Sequence, residues 1–292
     1  MTAAVLTNGI TVLGINFQNP ILLAAGTAGF GRELWGTLDL DALGGLVTKA
    51  VSLEPRLGNP SPRVAEVPGG MLNSVGLANP GVEQVAVVEL PWLAPRLRRA
   101  KVLVNVVGFA EDEYAGVIER LERAPGIAAY ELNLSCPNTS AGGIEFGAEP
   151  AAVERIVRRC RTATARPLFA KLSPAVPDLP GLAAAAAAAG AHGITVVNTM
   201  PGLVYDGDHP RLGNGNGGLS GPALLPVGLL ATARVRQQLP KIPIIGVGGI
   251  RTLEHVDHYV RAGANLVAIG TAGLADPRLP ERLAHEWRRR HG

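Results

Sequence analysis

A chain of 292 residues with 47% hydrophobic and 17% charged side chains can bury one large core, which excludes a disordered protein. The net charge of +3, from 27 basic and 24 acidic residues, gives no argument for a nucleic-acid partner, and the basic clusters at 96–101 and 288–290 lack interleaved aromatic residues and read as solvated helix faces. No apolar run of about 18 residues or more occurs, so a membrane-spanning helix is not expected. Cys136 and Cys160 are spaced for no metal site, and residues 1–13 lack the basic and apolar segments of a secretion signal, so a reducing cytoplasm is the expected setting.

In chain order, residues 5–13 carry Asn8-Gly9 between apolar flanks, a hairpin signal that predicts a two-stranded lid across the bottom of the fold. Short β-rich apolar runs follow at 21–25, 45–49, 102–106, 129–134, 168–172, 194–198, 242–247 and 265–270. Helical periodicity occupies 81–99, 111–124, 149–164, 222–239 and 252–262 between them. The connection 50–80 is long and rich in Pro, Gly and Asn, and compact folds rarely keep such a loop idle. The alanine run 183–189 has no amphipathic pattern and predicts a packed crossover helix stopped by Gly190. Aromatic residues make up only 4%, so the core must be built from Ala, Val, Leu and Ile, as in buried parallel strands. Eight strand–helix units predict a closed (β/α)8 TIM barrel with a short N-terminal β-hairpin at its bottom. Pro and Gly do not gather into a linker, so residues 1–292 are expected to form one domain.

Barrels of this kind place their sites at the C-terminal ends of the strands. Polar residues stand there one after another: Thr48-Lys49-Ala50 after the second run, Asn105 in the third, Asn133 in the fourth, Lys171 in the fifth, and Asn198-Thr199 after the sixth. In Glu131-Leu132-Asn133-Leu134-Ser135-Cys136-Pro137-Asn138, alternation turns Asn133 toward the central cavity and starts a loop that carries a thiol, a group able to act as base or nucleophile. Amides at 105, 133 and 198 suit the hydrogen-bonding edges of flat heterocycles without adding charge. Lys49 and Lys171, aimed into a low-dielectric mouth, need anions. Gly248-Gly249 and Gly270-Thr271, on the seventh and eighth strands, match the phosphate position of many such barrels, where backbone N–H groups approach an anion. Two flat ligands, one of them phosphorylated, would fill such a mouth.

These motifs resemble the dihydroorotate dehydrogenase family, and within it the class 1B catalytic subunits, over nearly the whole chain. The resemblance is carried by the stretch 48–81, ELNLSCPN at 131–138, GGIEFG at 142–147, KLSP at 171–174, NT at 198–199, GGLSGPA at 217–223, IPIIGVGGI at 242–250 and AIGTA at 268–272. It implies an FMN-dependent barrel that oxidises (S)-dihydroorotate to orotate in de novo pyrimidine biosynthesis, with Cys136 as the base at C5 while a hydride leaves C6 for FMN. It implies substrate contacts from Lys49, from Asn73, Ser74, Val75, Gly76 and Leu77 in the long loop, and from Asn133, Asn198 and Thr199. For FMN it implies Ala25, Lys49, Ala50, Asn105, Asn133, Lys171, Val197, Gly221, Gly248, Gly249, Gly270 and Thr271. Ala25 stands where the family often has Ser, and residues 201–214 fit the family pattern loosely.

Class 1B membership implies a homodimeric core joined to an iron–sulfur electron-transfer subunit that carries FAD and a [2Fe-2S] cluster and passes electrons to NAD. Two cysteines are too few to ligate a cluster within this chain, and no bound metal is expected. A fumarate-dependent class 1A enzyme, another flavin-dependent dihydropyrimidine oxidoreductase, and a catalytically idle phosphate-binding scaffold are the competing readings.

Overall fold

The computed structural model describes residues 9–135, 137–138, 144–145 and 149–291. Eight parallel strands, Ile21–Leu23, Gly45–Val47, Lys101–Val106, Ile127–Asn133, Leu168–Leu172, Gly193–Val196, Ile244–Val247 and Leu266–Ile269, pair in chain order, and the eighth closes on the first. Each lies within or beside one of the eight apolar runs. Alternation sorts their side chains: Leu22, Leu103, Phe169, Ile245 and Leu266 fill the barrel, whereas Leu23, Leu46, Val104, Tyr130 and Leu132 pack outward against the helices. Gly193 faces the ring of Phe169 so closely that a Cβ would collide with it, so the sixth strand starts on the one residue that leaves room.

The hairpin is present but displaced from its expected turn. Ile10–Val12 pairs antiparallel with Ile15–Phe17, and Leu13-Gly14 makes the turn, while Asn8 of the expected Asn8-Gly9 turn lies outside the described residues. Both turn residues have positive φ, 53° and 76°, as a type I′ hairpin requires. Val12 and Phe17 are buried among the interior side chains of the barrel and seal that end.

The helices Glu111–Leu121, Pro150–Ala163, Leu225–Gln238 and Leu253–Ala262 fall inside the periodic segments. Helix Leu179–Ala188 covers most of the alanine run; Asp178 caps it by accepting from Gly181 N–H at 2.9 Å, and Gly190, at φ +111°, ends it. The segment expected as one helix over 81–99 is instead a succession of short turns, Val82–Gln84, a π-helical Val85–Glu89, Leu90–Leu93 and Ala94–Arg96. Pro91 and Pro95 lack the N–H groups that a regular helix needs at those positions.

The long connection after the second strand builds structure over the rim. Its strands Val64–Val67 and Gly70–Asn73 form an antiparallel sheet with Gly217–Ser220 and Met200–Gly202, which come from the connection after the sixth strand. Leu212, in the stretch of loose family likeness, is buried against this sheet with Ala65 and Leu72. His192 exchanges two hydrogen bonds with Leu168, its N–H donating to the carbonyl at 2.8 Å and its Nδ1 accepting from the amide at 3.2 Å, so it ties the sixth strand to the fifth. Cys160 is buried inside its helix, where desolvation pushes the thiol up to about 12. Among the described residues no helix is long and apolar enough to cross a membrane.

Candidate active site

Two cavities, of about 910 and 740 Å³, open at the C-terminal ends of the strands. They adjoin, sharing Ala25, Gly26, Asn73, Val75, Lys171, Asn198 and Thr199 as common walls. Every described residue expected at the site lines one or both. The larger cavity takes Val197, Gly221, Gly248, Gly249, Gly270 and Thr271 in addition to the shared residues. The smaller takes Lys49, Ala50, Ser74, Gly76, Leu77, Asn105 and Asn133. Cys136 lies outside the described residues; Ser135, immediately before it, lines the smaller cavity.

The glycine end of the larger cavity is made of backbone. Gly248 and Gly249 have φ +126° and +71°, and a Cβ on Gly249 would stand 2.6 Å from the amide nitrogen of Leu225. Only glycine meets both demands. Gly270 differs, since a Cβ there would find Ala24 at an ordinary 3.6 Å, and the open space beside it belongs to the cavity. Thr271 Oγ1 donates to Ser220 Oγ at 2.8 Å, which joins the eighth strand's loop to the overlying sheet. The hydroxyl missing at Ala25 is not replaced by Thr27, whose Oγ1 turns to the carbonyl of Ile269.

The smaller cavity is polar, and most of its amides are already oriented. Asn198 accepts from Thr199 N–H at 2.9 Å through Oδ1 and donates from Nδ2 to Asn133 Oδ1 at 3.2 Å. This fixes the orientation of the Asn133 amide, with Oδ1 as its acceptor. Tyr114 OH donates to the Asn133 carbonyl at 2.9 Å and anchors the strand end from the helix side. The Asn105 N–H donates to Thr48 Oγ1 at 3.2 Å. Leu77, at φ +59°, holds the long loop in a left-handed conformation beside Gly76 at +72°.

The two lysines differ. Lys171 is buried and faces Glu131 at 3.6 Å, whereas Lys49 has no ion pair among the described residues. Glu131 is the residue that motif reading passed over. Its signal was available: two positions before Asn133 in one strand, it had to face the same interior. Ser220 and Asn216, both cavity-lining, were likewise not anticipated.

A closed eight-stranded parallel barrel with two adjoining cavities at the C-terminal ends of its strands defines the class of (β/α)8 barrels, which place their sites at that rim. The family model for dihydroorotate dehydrogenase matches residues 8–290, and the chain belongs to that family, an oxidoreductase family. It is 47% identical over 272 residues to the catalytic subunit of dihydroorotate dehydrogenase B (NAD(+)) from Desulforudis audaxviator, covering 92% of this chain and 87% of that one. With the subunit of the same name from Geobacillus kaustophilus the identity is 46% over 266 residues, covering 90% and 84%. The crystal structure of DHODH from Eimeria tenella in complex with ferulenol superposes with a TM-score of 0.79 over 95% of this chain and 82% of that one; at 22% identity this shows the shared fold.

Proposed function

We propose that this chain is a single FMN-binding barrel that oxidises (S)-dihydroorotate to orotate in the cytoplasm, as the catalytic subunit of a class 1B enzyme. The observation that carries the reading is the pair of joined cavities, one lined by Gly248, Gly249 and Gly270 and the other by Lys49, which has no ion pair among the described residues. The residues present fit FMN. Gly248, Gly249 and Gly270 line the larger cavity with backbone and no side chain, where main-chain N–H groups can approach a phosphate, and Asn105 Oδ1 is a buried acceptor without a partner among the described residues, as a flat heterocycle with an N–H edge requires.

In this reading Lys49 holds the substrate carboxylate, a charge-assisted contact that neutral pyrimidines cannot make. Asn73 and the loop through Ser74, Val75, Gly76 and Leu77 close over the ring, while Asn133, Asn198 and Thr199 hold its polar edges. Their amides are fixed before substrate arrives, so little ordering remains for the bound state. Cys136, next in sequence to the cavity-lining Ser135, takes the proton from C5. When bound, FMN accepts the hydride that leaves C6. The C5 proton and the C6 hydride together account for the two hydrogens lost on forming orotate.

The B-type (NAD(+)) catalytic subunits among its relatives support NAD as the final acceptor. Electrons then leave through a partner that carries FAD and a [2Fe-2S] cluster, bound to a dimer of this chain. Anaerobic addition of dihydroorotate to the FMN-loaded chain is expected to bleach the flavin, and NAD is expected to restore its colour only when the partner is added. Reoxidation by fumarate alone would place the chain with class 1A, and no bleaching would overturn the reading.

A further inference from the structure

Glu131 is 1% exposed, in the interior of the barrel on the fourth strand. A carboxylate there is costly unless it is paired and hydrogen-bonded. Its partners among the described residues are two side chains of the candidate site: Asn105, whose Nδ2 donates to Oε1 at 2.8 Å, and Lys171, whose Nζ stands 3.6 Å from the same oxygen. No main-chain amide among the described residues donates to it. Its burial is therefore tied to the two cavity-lining groups and not to a turn or a helix end.

Asn105 donates its Nδ2 to a carboxylate, so its amide is locked in one of its two orientations, and Oδ1 is left buried and unpaired as an acceptor among the described residues. Lys171 lines both cavities with its charge offset by Glu131, whereas Lys49 lines only the smaller one and has no such offset among the described residues. At the wall common to the two cavities the charge of Lys171 is thus balanced from behind by Glu131, and on the substrate side Lys49 has no such balance among the described residues.

We propose that Glu131 is a positioning residue for the flavin: it fixes Asn105 as the acceptor for a ring N–H, and it offsets Lys171 so that the bound ring gains electrons less readily than it would beside a lone ammonium. A flavin held in this way can pass its electrons on. The inference rests on the FMN reading above.

The test is the midpoint potential of bound FMN in Glu131→Gln, Lys171→Gln and the double variant, measured by anaerobic dye equilibration, with FMN affinity measured on the apoproteins. The Glu131→Gln side chain retains a carbonyl oxygen for Asn105, so FMN affinity is expected to change by less than about tenfold. The potential is expected to rise in Glu131→Gln, fall in Lys171→Gln and return toward wild type in the double variant. An unchanged potential in Glu131→Gln, or shifts of the same sign in both single variants, overturns the inference. If Glu131→Gln fails to fold, the sign in Lys171→Gln decides, since a rise or no change there also overturns it. Wild-type protein that takes up no FMN would instead overturn the underlying flavin reading, and this inference with it.

Discussion

On the side of the seventh and eighth strands the rim offers backbone, through Gly248, Gly249 and Gly270; on the third to fifth strands it offers side chains that hold one another, with Asn105 and Lys171 fixed by Glu131. The first region depends on shape, because a Cβ at Gly249 would strike Leu225. The second depends on charge and amide direction, both set by neighbours on adjacent strands. An anion can be held by main-chain groups that no side-chain substitution removes, whereas reading a ring edge and balancing charge require particular residues.

The largest expected effect is on the side-chain region. Cys136→Ala should keep FMN and slow flavin reduction by dihydroorotate about 10²- to 10⁴-fold in anaerobic stopped-flow absorbance. Unchanged reduction would remove Cys136 from the role of base. Lys49→Met should weaken dihydroorotate about 10- to 100-fold, in proportion to the loss of a charge-assisted hydrogen bond, with FMN still bound. Equal discrimination between dihydroorotate and its uncharged ring analogue before and after the change would dissociate Lys49 from the carboxylate.

Gly249→Ala probes the backbone region. Its φ of +71° and the contact with Leu225 should lower stability by about 1–3 kcal/mol and cut FMN affinity by an order of magnitude or more in fluorescence titration. Retained FMN affinity would show that the cradle is not where the phosphate sits. The smallest effect is expected away from the rim. Burial, together with the charge of Arg161, holds the His192 imidazole below its ordinary value of 6.5. The unfolded chain then binds the proton more readily, so this contribution is present above about pH 6.5 and is lost as the pH falls below it. Thermal melts from about pH 7 to pH 5 should show a decline that is reduced in His192→Asn.

The strands were legible because each is a short apolar run, several with a polar residue near the end, as at Asn105, Asn133 and Lys171. The displaced hairpin was not, because its first turn residue is Leu13, a side chain that rarely takes positive φ, while Asn8-Gly9 carried the stronger local signal. Pro91 and Pro95 were visible, yet the periodicity around them masked the broken helix. The four-stranded sheet over the rim joins residues about 145 apart, such as Asn73 and Gly218, and that pairing is a matter of register. Glu131 belongs to the same case: its strand and facing could be read from ELNLSCPN, but its contact with Asn105 and Lys171 depends on how three strands align.

The most direct measurement is a crystal structure of the chain grown with FMN and orotate. The account predicts the FMN phosphate against Gly248, Gly249 and Gly270, its ring at the wall shared with Lys171, and the orotate carboxylate on Lys49 in the smaller cavity. Orotate bound away from Lys49, or a flavin ring that leaves Asn105 and Lys171 untouched, would contradict it.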